Sequence, residues 1–254
     1  MLPVQGVVFD LDGTLVRSQH DYSEMTRRIK QVLLDEGVTS ELVEERGIPW
    51  QVMRGDPGSL NDLGIHESLF DNVAEKVTAA LNSVEVLSLN TVESIPNAKE
   101  VLDHLKNEGY SIGIATRACK EYSEKALEKL DLKQYIDAML ARDEVIYPKP
   151  DPRHLFGVVE LLSLCPDDII FIGDTITDLD TAKAANIPFV AYLGNPRWAE
   201  RMKESGIEYG ISDLIELKKL VMKKLSLVYR GELTQLLQRY CLTKLSGRIS
   251  TVFL

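Results

Sequence analysis

Two aspartates, Asp10 and Asp12, stand one residue apart at the end of the apolar run Gly6-Val7-Val8-Phe9, and Gly13 and Thr14 follow them. Carboxylates spaced this way point toward a common site if the chain turns at once, and Gly13 permits such a turn. Further along, Thr116 follows Ser111–Ala115, and Lys149 lies between Pro148 and Pro150. The run Gly173-Asp174-Thr175-Ile176-Thr177-Asp178 follows Ile169–Ile172 and opens an alanine-rich stretch. Together these types form a phosphoryl-transfer set: acidic groups for attack and proton transfer, with a hydroxyl and an ammonium for phosphoryl oxygens. Each has a plainer reading alone. An isolated Asp-x-Asp-Gly occurs in calcium loops and turns, Thr116 suits a turn or cap, and Lys149 suits a solvated surface. Asp174 and Asp178 suit the N-terminus of a helix, whose dipole they complement. Placement of each group at the end of its own apolar run favours one shared site.

The elements that must hold these groups can be read from periodicity. Gly6–Phe9, Ser111–Ala115, Ile136–Leu140, Ile169–Ile172 and Ile187–Ala191 are short, apolar runs that suit strands buried on both faces of a parallel sheet. Between them, Ala98, Val101, Leu102 and Leu105 repeat at helical spacing, as do Leu155, Val158, Val159 and Leu162. Strands alternating with such helices imply an α/β, doubly wound, Rossmann-like parallel sheet, whose ligands sit beyond the carboxyl ends of the strands.

The segment 17–93 breaks that alternation. Tyr22, Met25, Ile29, Val32 and Leu33 mark one apolar helical face, and Leu69, Val73, Val77, Ala80 and Leu81 another. The expected division is therefore a catalytic core at 1–16 and 94–225, an inserted helical cap at 17–93, and a C-terminal extension at 226–254. The cap's middle, Gly47 to Gly64, is punctuated by Pro49, Gly55, Pro57 and Gly58 and reads as a loop. Its Trp50, Gln51 and Arg54 are candidate substrate selectors. The extension is basic apart from Glu232, and Leu233, Leu236, Leu237 and Tyr240 share helical spacing suited to packing on the core or on a second copy in a homodimer, with anchoring on an anionic surface as the alternative.

With 254 residues, 44% hydrophobic and 27% charged, the chain reads as globular. A formal net charge of -10 opposes encounter with nucleic acid or anionic lipid. Cys119, Cys165 and Cys241 lack metal-site spacing and an even count, which suits a reducing compartment, the cytoplasm. No apolar window is long enough to span a bilayer, so no membrane partner is expected.

Val7-Val8-Phe9-Asp10-Leu11-Asp12-Gly13-Thr14-Leu15 resembles the first signature of the haloacid dehalogenase superfamily. Thr116, Lys149 and Gly173–Asp178 resemble its second, third and fourth signatures, in the family's order. The resemblance covers roughly residues 4–215, with a helical cap inserted as in the phosphoglycolate phosphatase-like branch. Dehalogenase members lack the second aspartate, so Asp12 implies a phosphatase. By resemblance, Asp10 forms an aspartyl-phosphate, while Asp12 protonates the leaving alcohol and then takes a proton from the hydrolytic water. Thr116 binds a phosphoryl oxygen and Lys149 neutralises charge on nucleophile and phosphate. The cofactor implied is Mg²⁺, held by Asp10, the Asp12 backbone carbonyl and Asp174, with Asp178 as a ligand or behind one. Arg117 stands where relatives often carry Asn and suits a substrate with a second anionic group.

The substrate expected is a small phosphorylated metabolite, such as phosphoglycolate or a sugar phosphate. Alternatives are a phosphosugar mutase, a phosphorylatable signalling module, and an inactive binding protein. A signalling module of the receiver type carries its phosphorylated Asp on a later strand than its acidic pair, which Asp10 and Asp12 do not match.

Overall fold

The computed structural model describes residues 4–46 and 62–220, with the backbone alone at 44–46 and 197. Eight strands are described: β1 (Gly6–Phe9), β2 (Val16–Arg17), β3 (Glu93–Ser94), β4 (Ser111–Ala115), β5 (Ala138–Leu140), β6 (Ile169–Gly173), β7 (Phe189–Tyr192) and β8 (Gly210–Ile211). All but β2 and β3 form one parallel sheet in the order β5-β4-β1-β6-β7-β8. The first strand is central, and the chain builds outward on one side of it before crossing to the other. That reversal leaves the carboxyl ends of β4, β1 and β6 side by side, at the crevice where open α/β sheets bind ligands.

Side chains of β1 alternate between two buried layers. Val7 and Phe9 pack with α4 (Ala98–Asn107) and α5 (Lys120–Lys129), while Val8 faces α6 (Pro152–Leu161) and α7 (Ile176–Ala185). Burial on both faces is why the inner strands are continuous apolar runs. Next to this core, α8 (Pro196–Glu204) contributes Met202 to a small cluster with Leu179 and Ala191.

Between β2 and β3 the described regular structure is helical. The described helices there are α1 (Tyr22–Asp35), α2 (Ser40–Arg46) and α3 (Phe70–Leu87). Asp21 starts α1 by accepting the Glu24 amide at 2.9 Å, and Gly37, at φ 90, follows its end. Met25, Ile29 and Leu33 of α1 meet Val73, Val77, Leu81 and Val84 of α3 in a hydrophobic cluster of their own. The segment leaves and rejoins the sheet domain on one antiparallel ladder, Val16 opposite Ser94 and Arg17 opposite Glu93.

Several sequence expectations need correction. Tyr22 and Leu69, assigned to apolar helical faces, are 58% and 40% exposed. Tyr22 is the first residue of α1, and Leu69 lies in the 3-10 turn that precedes α3, so neither is covered by a flanking turn. The strand expected from Ile136 begins at Ala138, after a 3-10 turn at Lys133–Tyr135. The strand expected from Ile187 begins at Phe189, because Pro188 has no N–H for the ladder. Trp50, Gln51, Arg54 and the extension 226–254 lie outside the described residues. No helix among the described residues is long and apolar enough to cross a membrane.

Candidate active site

The loop after β1 is tight. The Leu11 carbonyl accepts the amides of Leu15 at 2.9 Å and Val16 at 3.0 Å, and the buried side chains of Leu11 and Leu15 pin the turn to the core. Asp10 remains in register with β6, donating its amide to the Ile172 carbonyl at 2.8 Å. Gly13 has a φ of 92, and a Cβ there would collide with the Asp174 carboxylate. Gly173 makes room in the same way for the Asp178 side chain. These two glycines let the end of β6 close against the first loop.

Asp178 is turned inward by a capping box. Its Oδ2 accepts the Thr175 amide at 3.1 Å and hydroxyl at 2.6 Å, while its Oδ1 accepts from Lys149 Nζ at 2.6 Å. Lys149 also donates to Asp10 Oδ1 at 2.7 Å. Only 1% of this lysine is exposed. Burial favours its neutral amine, but the two carboxylates outweigh burial and raise its pKa. Behind it, buried His154 accepts the Lys149 amide on Nδ1 at 3.1 Å, so its Nε2–H donates to the Leu140 carbonyl at 3.0 Å. Burial, then the nearby Lys149 charge, keep this imidazole neutral by lowering its pKa to about 4.

Asp174 accepts from Asn195 Nδ2 at 2.7 Å and from Thr14 Oγ1 at 3.3 Å. Asp10, Asp174 and Asp178 each present a carboxylate oxygen, and these oxygens lie within 4.8 Å of one another. Lys149 alone cannot balance three buried carboxylates. Burial pushes Asp174 up to about 7, reinforced by the charge of Asp178. Burial likewise raises Asp10 well above the ordinary range, with Lys149 opposing and Asp178 and Asp174 reinforcing. Two carboxylates 4 Å apart repel by about 4 kcal/mol at an effective dielectric of 20. Crowded, acidic, all-oxygen donors of this kind fit a hard divalent cation.

Asp12 has a different environment. Its Oδ1 accepts from Tyr122 OH at 2.7 Å and Ser18 Oγ at 2.9 Å, and His20 Nε2 lies 3.4 Å away. His20 Nδ1 is 2.9 Å from Ser88 Oγ, whose single proton goes to the Glu85 carbonyl at 2.6 Å. With that proton committed, Ser88 accepts from His20 Nδ1–H, and Nε2 faces the Asp12 carboxyl. Burial opposes a charge on the ring, but Asp12, with Glu85 adding, raises the His20 pKa. Burial and then Asp12 raise the phenol of Tyr122, which stays protonated.

A cleft of about 940 Å³ opens over these groups. Asp10, Asp12, Thr116, Arg117, Lys149, Asp174 and Asp178, the residues singled out in the sequence, all line it. Thr116 Oγ1 accepts the Ala118 amide at 3.1 Å, which leaves the hydroxyl proton available to a ligand. The Arg117 carbonyl accepts from Arg142 at 2.9 Å. Arg142 also meets Glu85 of α3 at 2.6 Å, and Glu85 accepts the Cys119 amide at 2.7 Å. Burial pushes the Cys119 thiol up to about 12, which removes it as a nucleophile.

Sequence reasoning missed His20, Tyr122, Glu85, Arg142, His154 and Asn195. Asn195 had a usable signal, since it follows a strand as the others do. Glu85 had one too, as a carboxylate inside the apolar stripe of α3. Tyr122 and His154 sit where helical periodicity alone assigns core.

Residues 7–192 match a family model described as haloacid dehalogenase-like hydrolase. A phosphorylated carbohydrates phosphatase of Thermotoga maritima is 29% identical over 187 residues, covering 72% of this chain and 82% of that protein. A phosphoglycolate phosphatase of Pseudomonas fluorescens is 30% identical over 191 residues, covering 73% of this chain and 68% of that one. Among solved structures, a Lactobacillus plantarum protein superposes with a TM-score of 0.59 at 23% identity, over 86% of this chain and 100% of the other. At that identity the superposition speaks for the fold.

Proposed function

The chain belongs to the haloacid dehalogenase-like hydrolases, and from that premise we propose that it is a Mg²⁺-dependent phosphatase acting on a small phosphorylated metabolite through an aspartyl-phosphate at Asp10. The observation that carries the proposal is the convergence of Asp10, Asp174, Asp178 and Lys149 at one cleft that Asp12 and Thr116 also line.

Removing on the order of 20 kcal/mol from the barrier to phosphate ester hydrolysis exceeds what acid-base catalysis alone supplies, roughly 10² to 10⁴ in rate. A covalent route divides that barrier. An Asp10 oxygen attacks phosphorus as the ester P–O bond breaks, and the leaving oxygen takes a proton from Asp12. Water then attacks the phosphorus of the acyl phosphate and gives its proton to Asp12, which restores both carboxyl groups and releases phosphate. Lys149 offsets negative charge beside Asp10, and the Thr116 hydroxyl donates to a phosphoryl oxygen. Asp10, Asp174 and the Asp12 backbone carbonyl would hold Mg²⁺, and Asp178 serves chiefly to hold Lys149. The ion, when bound, supplies positive charge against the carboxylates and the phosphoryl group.

Residues 17–93 act as a cap over a core of 1–16 and 94–225, with the β2–β3 ladder as the neck between them. The cap excludes water and selects the leaving group. Arg117 at the cleft favours a substrate carrying a second anion, such as phosphoglycolate.

The test is a screen of phosphorylated metabolites with Mg²⁺, repeated with Asp10→Asn. The variant is expected to lose activity by 10⁴-fold or more, on the order seen when a covalent nucleophile is removed. Near-normal turnover in that variant would end the covalent account, and product analysis separates released phosphate from transfer within a sugar.

A further inference from the structure

Two hydroxyl donors and an imidazole nitrogen converge on one oxygen of Asp12. Tyr122 OH, Ser18 Oγ and His20 Nε2 reach Oδ1 at 2.7, 2.9 and 3.4 Å, while Oδ2 accepts no hydrogen bond among the described residues. Asp12 lines the cleft with 25% of its side chain exposed. Its carboxylate is a two-fold rotor whose oxygens are equivalent until the surroundings distinguish them. Here they are distinguished.

We propose that Tyr122 is a positioning residue that fixes the Asp12 carboxylate, so that Oδ2 faces the leaving-group oxygen. The inference rests on the phosphatase reading and extends it to how the proton is aimed. Tyr122 is fully buried in the first turn of α5, the helix that follows the Thr116 loop. A phenylalanine would fill the same space without burying a hydroxyl, so the hydroxyl has a use beyond packing. Its contact with Asp12 is the shortest of the three, and it comes from the sheet domain. Ser18 and His20 lie in the irregular stretch between β2 and α1, and the His20 ring meets the Tyr122 ring edge-on with centroids 5.0 Å apart. Tyr122 therefore supplies the donor that stays with the core whatever the helical segment does.

Leaving-group chemistry separates positioning from scaffolding. An alkyl phosphate expels a strongly basic alkoxide and needs the Asp12 proton, whereas p-nitrophenyl phosphate expels a stable phenolate and needs it far less. Full-length wild type, Tyr122→Phe, Asp12→Asn and the double variant are assayed with Mg²⁺ on p-nitrophenyl phosphate, phosphoglycolate, glycerol 3-phosphate and glucose 6-phosphate. A hydrogen bond to a charged group that acts in the transition state corresponds to about 10- to 100-fold in kcat. Tyr122→Phe is expected to lose about that much on the fastest alkyl ester, at least ten-fold more than on p-nitrophenyl phosphate, with KM little changed. The double variant should be no slower than Asp12→Asn alone, because Tyr122 acts through Asp12. Ser18→Ala, at a half-buried position, should show the same split more weakly, and it decides the matter if Tyr122→Phe does not fold.

Equal losses on both ester classes, or losses that add to those of Asp12→Asn, would reduce Tyr122 to a structural role. Cleavage of p-nitrophenyl phosphate with no cleavage of any alkyl ester would contradict an Asp12 aimed at alkoxides. A wild type inactive on all four compounds would instead overturn the phosphatase reading itself.

Discussion

Two polar clusters are buried at the same cleft, and they are built on opposite electrostatic plans. At the ends of β1 and β6, Asp10, Asp174 and Asp178 share the single ammonium of Lys149. Beside it, Glu85 of α3 pairs with Arg142, and Asp12 faces His20 3.4 Å away. In the second cluster each carboxylate faces a basic side chain of its own, which offsets part of the cost of burying it. In the first, three carboxylates face one ammonium, and an uncompensated buried charge destabilises the fold. Imbalance marks the part of the site whose chemistry suits a cation, and pairing marks the part that holds geometry.

The contrast is broken most severely at Glu85. Glu85→Ala leaves the Arg142 guanidinium and the Cys119 amide without their carboxylate, and removing one partner of a buried pair costs about 3–5 kcal/mol. Urea denaturation is expected to show a loss of that size, whereas a loss below about 1 kcal/mol would mean that solvent replaces the pair, as at an exposed bridge.

A smaller effect is expected from Mg²⁺, through both concentration and pH. A ligand bound only by the folded state at a hundred times its Kd stabilises by about 2.7 kcal/mol. Asp174, raised to about 7 when metal-free, binds its proton more tightly folded than unfolded. The metal-free protein therefore loses stability as pH rises toward and through 7. Mg²⁺ should raise Tm more at pH 8 than at pH 5.5, and a shift independent of pH would contradict competition between the ion and those protons.

Smallest is the effect of Asp174→Asn measured without metal. Removing one like charge from the unbalanced cluster should raise stability at pH 8 by on the order of 1 kcal/mol, while abolishing the Mg²⁺ response. Destabilisation by that substitution would place Asp174 with the paired cluster instead.

The unbalanced cluster was the legible one. Asp10 and Asp174 directly follow β1 and β6, and strands buried on both faces announce themselves as unbroken apolar runs, so the polar residue that ends each run stands out; Lys149 is marked by its flanking prolines. Tyr122 carries no such mark, because its spacing from Ala126 and Leu127 on α5 is that of any core residue. His20 lies in an irregular stretch between β2 and α1, and its partners Asp12 and Ser88 are remote in sequence. Periodicity reports which face of an element is buried. It does not report where a hydroxyl or an imidazole on that face finds its partner, and that partnership is what orients Asp12.

The most direct test of the account is to trap the covalent intermediate. Protein quenched during turnover of a substrate with Mg²⁺ is treated with borohydride, which reduces an acyl phosphate to an alcohol, and its peptides are sequenced by mass spectrometry. The account predicts homoserine at position 10 and at no other aspartate. Steady turnover with Asp10 recovered unmodified, or reduction at Asp12 or Asp174 instead, would contradict it.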